Sequence, residues 1–159
     1  MAISNITYSP SENIVITLAS LANNAARQSN FIDNSTNTFL DAMVQLNIQL
    51  ATGTPGNDRL INVWFYGSEN GINYTDNATG SDSALTLRAP TNLRGPYIIA
   101  TPDSGGLVYR AVIGSIAAYF GGVLPRRWGI VVQNRTGIAF DGTETNHVKS
   151  YTGIKLTST

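Results

Sequence analysis

The longest regular pattern in the chain is a strict alternation of apolar and polar residues in the segment FLDAMVQLNIQL, from Phe39 to Leu50. One side carries Leu40, Ala42, Val44, Leu46, Ile48 and Leu50, and the other carries Asp41, Met43, Gln45, Asn47 and Gln49. A period of two predicts a long strand over residues 38–50 with one face in a core. The second face holds amides, a methionine and a single charge, where a solvated strand would carry Lys and Glu. We therefore expect this second face to meet another protein.

Other segments with strand character follow along the chain. They are rich in β-branched and aromatic residues, and turn-forming Gly, Pro, Asn and Asp separate them. The predicted strands are 14–19, 25–32, 60–67, 72–76, 84–89, 97–100, 128–134, 138–140 and 147–156. About nine or ten strands without alternating helices predict an all-β fold, an antiparallel β-sandwich or jelly roll.

Local signals refine this prediction. The Asn70-Gly71 pair is typical of a two-residue hairpin turn. Pro96 restricts the strand after it to a sheet edge or to its first residues. Segment 107–120 is as long and alanine-rich as a helix, but its β-branched residues and central Gly114-Ser115 favour a bent strand. In the last strand, one face carries Val148, Ser150, Thr152, Ile154 and Leu156.

The first residues, 1–13, are polar, include Pro10 and precede the first predicted strand. They predict a flexible N-terminal arm that orders on contact with a neighbour, or alternatively a frayed terminus. Residues 14–159 are expected to form one β-sandwich domain, because this length suits a single core.

Charged residues make up only 13% of the chain, about half the usual share. Such a surface suits a subunit that packs against neighbours, because an unpaired charge is costly to bury. The formal net charge is zero and no basic patch stands out, which argues against a nucleic-acid partner. Eight of the ten basic residues are Arg, which protein interfaces favour over Lys.

The chain offers little chemistry. It has no cysteine, which excludes disulfides and thiolate sites, and His147 is its single histidine. We expect no signal peptide and no membrane span, since no apolar run is long enough. The acidic residues sit mostly in turns, and the loop from Asp76 to Asp82 resembles a calcium loop without the EF-hand spacing. We therefore predict no catalytic residue, no cofactor and no metal site.

Aromatic and basic clusters give the remaining candidates. If Phe65 and Tyr74 are exposed, they could stack on sugar rings; otherwise Trp64 and Tyr66 pack the core and Phe65 lies on the other sheet face. The only basic doublet, Arg126-Arg127, either is solvated at the start of a strand or contacts an acidic partner. The predicted interface residues are Tyr8, Met43, Gln45, Phe65, Arg126 and Arg127.

Three blocks of the sequence, covering about a third of it, resemble a family of small virion structural proteins of tailed bacteriophages. They are Leu18–Asp41, Val63–Asp76 and Phe120–Gly137, and they occur in the matching order. The third block is the most specific, with Gly-Gly-Val-Leu-Pro ahead of Trp-Gly-Ile-Val-Val and an Asn before the turn.

The resemblance implies a component of a phage particle and no catalytic residues. Combined with the arm and the uncharged strand face, it favours a capsid decoration (cement) protein that binds the major capsid protein and stabilises the shell. We expect a homotrimer, made in the bacterial host cytoplasm and located in the virion. A neck, tail or baseplate component and a glycan-binding module for host attachment are the alternatives, and an enzyme is the least favoured.

Overall fold

Antiparallel strands are the main regular secondary structure of the computed structural model, which describes residues 4–56, 58–102 and 104–158. The all-β prediction is thus confirmed. In chain order the strands are β1 (Ser4–Tyr8), β2 (Glu12–Asn13), β3 (Ala26–Gln28), β4 (Ile32–Asp33), β5 (Asp41–Gln49), β6 (Leu60–Ser68), β7 (Ser83–Ala84), β8 (Arg94–Ala100), β9 (Val108–Ile113), β10 (Arg127–Arg135) and β11 (Val148–Ser158). Single-turn helices are α1 (Asn34–Asn37) and α2 (Ile116–Tyr119), and a 3₁₀ turn spans Glu144–Asn146.

The strands form two sheets. In the first sheet the order is β1-β11-β5-β9, and β2 also pairs with β11. In the second sheet the order is β7-β3-β10-β6-β8, and β4 also pairs with β10. The inner faces of both sheets share one apolar core, in which alternate residues of β5 (first sheet) and of β6 and β10 (second sheet) are fully buried. The arrangement is a β-sandwich.

The long alternating strand is the part of the prediction that the structure reproduces best. Ala42, Val44, Leu46 and Ile48 of β5, with Leu50 just beyond it, have no exposed surface. Leu40 was expected on the same face, but it is 52% exposed, because the strand begins only at Asp41. The predicted strands 60–67 and 128–134 are also confirmed, as β6 and β10.

A second, smaller core lies on the outer face of the second sheet. Residues 69–93, which we call the covering loop, place Tyr74, Leu85 and Leu93 over this face. They pack around Tyr66 of β6, which is fully buried and whose hydroxyl donates a 2.8 Å hydrogen bond to the Ser29 carbonyl. The centre of the second sheet, around Tyr66 of β6, is therefore buried on both faces, whereas Ile98 on its edge strand β8 is 56% exposed.

The covering loop replaces a predicted hairpin. Residues 72–76 form no strand, and the neighbours of β6 are β10 and β8. The Asn70 side chain accepts the backbone N–H groups of Ile72 and Asn73, so the Asn-Gly pair does make a tight turn. After this turn the chain crosses the sheet face because Tyr74 packs edge-on against Tyr66. Of the predicted strand 84–89, only Ala84 belongs to a strand, the two-residue β7.

Segment 14–19 is extended but lies outside the ladders, contrary to the prediction of a strand. Its alternation is real, since Ile14, Ile16 and Leu18 are buried. Three of its backbone N–H groups, however, are bound by carboxylates: Asp82 accepts the N–H of Thr17, and Glu144 accepts those of Leu18 and Ala19. These contacts bridge the two sheets, because Ile14 also donates to the Lys149 carbonyl of β11.

Three further segments are described against their predictions. Segment 107–120 is neither one helix nor one bent strand, but β9 followed by α2, with Gly114 and Ser115 between them. The strand around Pro96 is an edge strand as predicted, since β8 ends the second sheet. The described part of the predicted arm contains two strands, β1 and β2, both paired with β11.

Candidate functional site

The outer face of the first sheet is a regular surface that no described segment buries. Its side chains come from every second residue of four neighbouring strands, as the pairing registers show. This outer face consists of Ser4, Ile6 and Tyr8 of β1, Val148, Ser150, Thr152, Ile154 and Leu156 of β11, Asp41, Met43, Gln45, Asn47 and Gln49 of β5, and Val108, Arg110 and Val112 of β9. All of these residues are half-buried or exposed.

Apolar side chains concentrate at one corner of this outer face. Ile6 lies directly opposite Leu156, and Tyr8 lies directly opposite Ile154. Ile6, Tyr8 and Leu156 are 64%, 62% and 55% exposed, and Ile154 is half-buried. Directly opposed residues on one face form a continuous patch. Val112 is a further exposed apolar side chain, on the far strand β9.

Only two of these outer-face side chains are charged, Asp41 and Arg110. One carboxylate oxygen of Asp41 accepts the backbone N–H groups of Ala42 at 2.7 Å and of Ala117 at 2.8 Å. This carboxylate therefore holds α2 against the start of β5. Between Asp41 and Arg110 the face carries amides and hydroxyls, and Gln45 donates a 2.6 Å hydrogen bond to Asn47. Groups of this kind can be desolvated at lower cost than charges.

The structure brings together three of the six predicted interface residues. Tyr8, Met43 and Gln45 all lie on the outer face of the first sheet. The prediction of Phe65 as a contact residue is wrong. Its side chain is fully buried in the main core, where it packs on Tyr119 with ring centroids 4.5 Å apart.

Arg127 is held within the fold. Its guanidinium lies 4.2 Å from the Phe31 ring centroid, donates to the Gly71 carbonyl at 2.6 Å and pairs with Asp33 at 3.3 Å. The Ser35 hydroxyl and amide, together with Arg127, hold the pKa of Asp33 below its ordinary value. Arg127 therefore joins β10 to the covering loop and to the cap of α1.

Arg126 is exposed and lies elsewhere, in an open cleft of about 540 Å³. Arg94 and Glu69 also line this cleft, whose apolar wall includes Phe120 and Leu124. The doublet thus divides into one structural and one accessible arginine.

The aromatic residues near the Asn-Gly turn do not form a sugar platform. Tyr74 is half-buried between Tyr66 and Phe31, at centroid distances of 5.7 and 6.3 Å, and Phe65 points into the core. The two side chains on which the glycan hypothesis depended are therefore on opposite sides of β6 and are engaged within the fold.

The polar groups considered for chemistry have structural partners. His147 is buried, accepts the Gln49 N–H and lies 3.1 Å from the Asp141 carbonyl, so its ring ties the 3₁₀ turn to β5. Asp76 binds Thr91 and Asn92, whereas Asp82 binds Thr17 and Arg27. No group of three His, Cys, Asp or Glu residues that could hold a metal occurs in residues 4–56, 58–102 and 104–158. Across the same residues, no helix has the length and hydrophobicity to cross a membrane.

The apolar corner was missed by sequence reasoning, although two signals for it were present. The described part of the predicted arm alternates Ser4, Ile6 and Tyr8 with Asn5 and Thr7, which is a strand pattern. The second signal was the strand face that carries Val148, Ile154 and Leu156. The opposite face includes the small residue Gly153, whose lack of a side chain gave no indication that this face points into the core. The Phe39 ring occupies the space that a Cβ at Gly153 would need, so only glycine fits there.

In comparisons with known proteins, the chain matches no protein family, no curated protein and no solved structure.

Proposed function

We propose that this chain is a non-enzymatic structural protein of a tailed-phage virion, a capsid decoration protein that binds the shell through the outer face of its first sheet. The observation that carries the proposal is the difference between the two sheets. The covering loop packs over the centre of the outer face of the second sheet, whereas the outer-face side chains of the first sheet (the bare face) all stay half-buried or exposed within the described residues.

The composition of the bare face supports protein contact over simple solvation. Exposed apolar side chains such as Ile6 and Leu156 cluster on neighbouring strands, and larger patches of this kind mark interaction sites. The centre of the face, around Met43 and Gln45, has no charge that a partner would need to neutralise. A partner could therefore desolvate this centre at low cost.

The assignment to a virion rests on the sequence. The three blocks that resemble phage structural proteins supply the biological setting, and the sheet face supplies the contact surface. A decoration protein binds through a contact of about 1,200–2,000 Å². The same contact is repeated many times over a shell, and this repetition adds avidity. The major capsid protein is the proposed partner, and the expected homotrimer stays a prediction.

Location in the particle tests this proposal. Heads and tails of the virus that encodes the chain would be separated by density and probed with an antibody against it. The proposal expects the protein on heads, in many copies. Its presence in tails alone would assign it to the neck, tail or baseplate, and its absence from particles would overturn a virion role altogether.

A further inference from the structure

The four strands at the ends of the two sheets differ in how their open edges are protected. Natural proteins protect such edges with short strands, proline or charge. On the second sheet, β7 has two residues and β8 contains Pro96 and Arg94. On the first sheet, β9 carries Arg110 and contacts β8. Strand β1, with the sequence SNITY, has none of these features.

The backbone of β1 has a defined open side. The Ser9 N–H donates a 2.9 Å hydrogen bond to the Gly153 carbonyl of β11, so Ser9 faces its own sheet. Residues alternate in an antiparallel ladder, so Thr7 and Asn5 also face β11. Ser4, Ile6 and Tyr8 therefore direct their N–H and C=O groups away from the sheet, and none of these groups has a hydrogen-bond partner in the part of the chain that the structure describes.

We propose that β1 pairs with the β1 strand of a second copy of this chain, antiparallel and around a two-fold axis at Ile6. In this register Ile6 lies opposite the partner's Ile6, and Ser4 lies opposite the partner's Tyr8. All three outward-facing residues then exchange both backbone hydrogen bonds, because positions 4, 6 and 8 map onto 8, 6 and 4. The small Ser4 also leaves room for the large ring beside it.

The pairing also continues a surface already present in one copy. Ile6, Tyr8, Ile154 and Leu156 form the apolar corner beside the open edge. The two-fold axis places the partner's corner directly next to it and joins the two first sheets into one. The result is a single apolar stripe across both copies, flanked by two outer faces that each carry only Asp41 and Arg110 as charged side chains.

This inference goes beyond the proposed function and does not depend on it, since it concerns the isolated protein. It differs from the trimer expected from the sequence, because an isologous edge closes with two copies. The native mass separates the two predictions.

Light scattering of the purified chain over a range of concentrations, up to about 1 mM, tests the pairing. We expect a mass that rises with concentration towards twice the 17.0 kDa of the chain. Ile6→Lys places like charges directly opposite each other at the axis and should weaken the dimer by about tenfold or more. Val112→Lys is the matched control, since Val112 is 60% exposed on the same outer face but lies on the far strand β9; this variant should dimerise as the wild type does.

Amide hydrogen exchange of the wild type provides a second test, which does not require the lysine variants to fold. In the wild-type dimer the N–H groups of Ile6 and Tyr8 should be protected, and dilution should remove their protection while Thr7 stays protected. A monomer at all concentrations would overturn the inference. A trimer would also overturn it. Equal loss of the dimer in Ile6→Lys and Val112→Lys would overturn it as well, because it would indicate that the two copies pack through their outer faces.

Discussion

The outer faces of the two sheets differ in how far the chain itself covers them. On the second sheet, Tyr66 and Trp64 point outwards, and the covering loop forms a second core in which Tyr66 is buried and Trp64 half-buried. On the first sheet, β5 presents Met43 and Gln45 on the outer face, and both stay half-buried. In a strand with one solvated face, apolar residues point inwards and polar residues point to the solvent. Neither outer face here carries as many charged residues as is usual on such a solvated face.

The difference teaches how to interpret an uncharged strand face. Large aromatic residues on the second sheet need burial for stability, and the chain provides it. Amides, hydroxyls and medium-sized apolar residues on the first sheet tolerate water, yet they can also be desolvated. We infer that the first face is suited to a contact that forms after folding.

Truncating one tyrosine on each face should separate these two roles most strongly. Tyr66→Ala removes a fully buried ring from the second core and should lower the free energy of unfolding by about 3–5 kcal/mol. Tyr8→Ala, on the bare face, should lower it by less than about 1 kcal/mol. Urea denaturation of both variants measures the contrast.

Tyr66→Phe serves as the control for the ring itself. It removes only the hydroxyl that donates to Ser29 and should cost about 1 kcal/mol. If Tyr66→Ala proved as mild as Tyr8→Ala, the second core would contribute little and the contrast between the faces would fail.

A smaller effect is expected where the sheets are bridged. Glu144 accepts the N–H groups of Leu18 and Ala19 at 2.8 and 2.7 Å and pairs with Lys149. Glu144→Gln weakens these charge-assisted bonds and should lower the free energy of unfolding by about 1–2 kcal/mol. Glu69→Gln, at an exposed position of the covering loop, is the matched control and should change it by less than about 0.5 kcal/mol.

The effect of Glu144 should depend on pH. Partial burial acts to raise the pKa of Glu144, but Lys149 and the two N–H groups outweigh it and lower the pKa below 4.5. The folded state binds the Glu144 proton less tightly than the unfolded state does. The stabilisation by ionised Glu144 is therefore complete above the ordinary pKa of 4.5, and it is lost as the pH falls through the lowered pKa of the folded state. Denaturation of wild type and Glu144→Gln from pH 7 to pH 3 should therefore show a narrowing difference, and a constant difference would contradict this account.

The sequence predicted elements whose pattern is local. Strict alternation located β5, and β-branched and aromatic residues located β6 and β10, because burial on one or both faces imposes these patterns directly. Pro96 correctly indicated an edge, since it cannot donate to a second neighbour.

Features that depend on distant residues could not be predicted. Segment 14–19 has the alternation of a strand, but its N–H groups are bound by Asp82 and Glu144, far away in the sequence. Asn70-Gly71 makes its turn, but contacts of Tyr74 determine where the chain then goes. For the candidate site, the uncharged face of β5 was evident, whereas the apolar corner required the register of β1 against β11.

Substitution at the centre of the bare face should have the smallest effect on stability. Met43→Lys adds a charge to a half-buried, outward-facing position and should change the free energy of unfolding by less than about 1 kcal/mol. Thermal unfolding measures this change. A large loss would indicate that Met43 supports the fold, and the face would then be structural.

Binding of this variant to shells tests the central claim most directly. Capsid shells assembled without the protein would be mixed with wild type, Met43→Lys or Ile72→Lys and sedimented, with Ile72 chosen because it is 78% exposed in the covering loop. Wild type and Ile72→Lys should co-sediment equally, and Met43→Lys should lose at least about tenfold in affinity, because its charge would be buried without a partner. Equal binding of a folded Met43→Lys variant would contradict the assignment of this face as the contact surface.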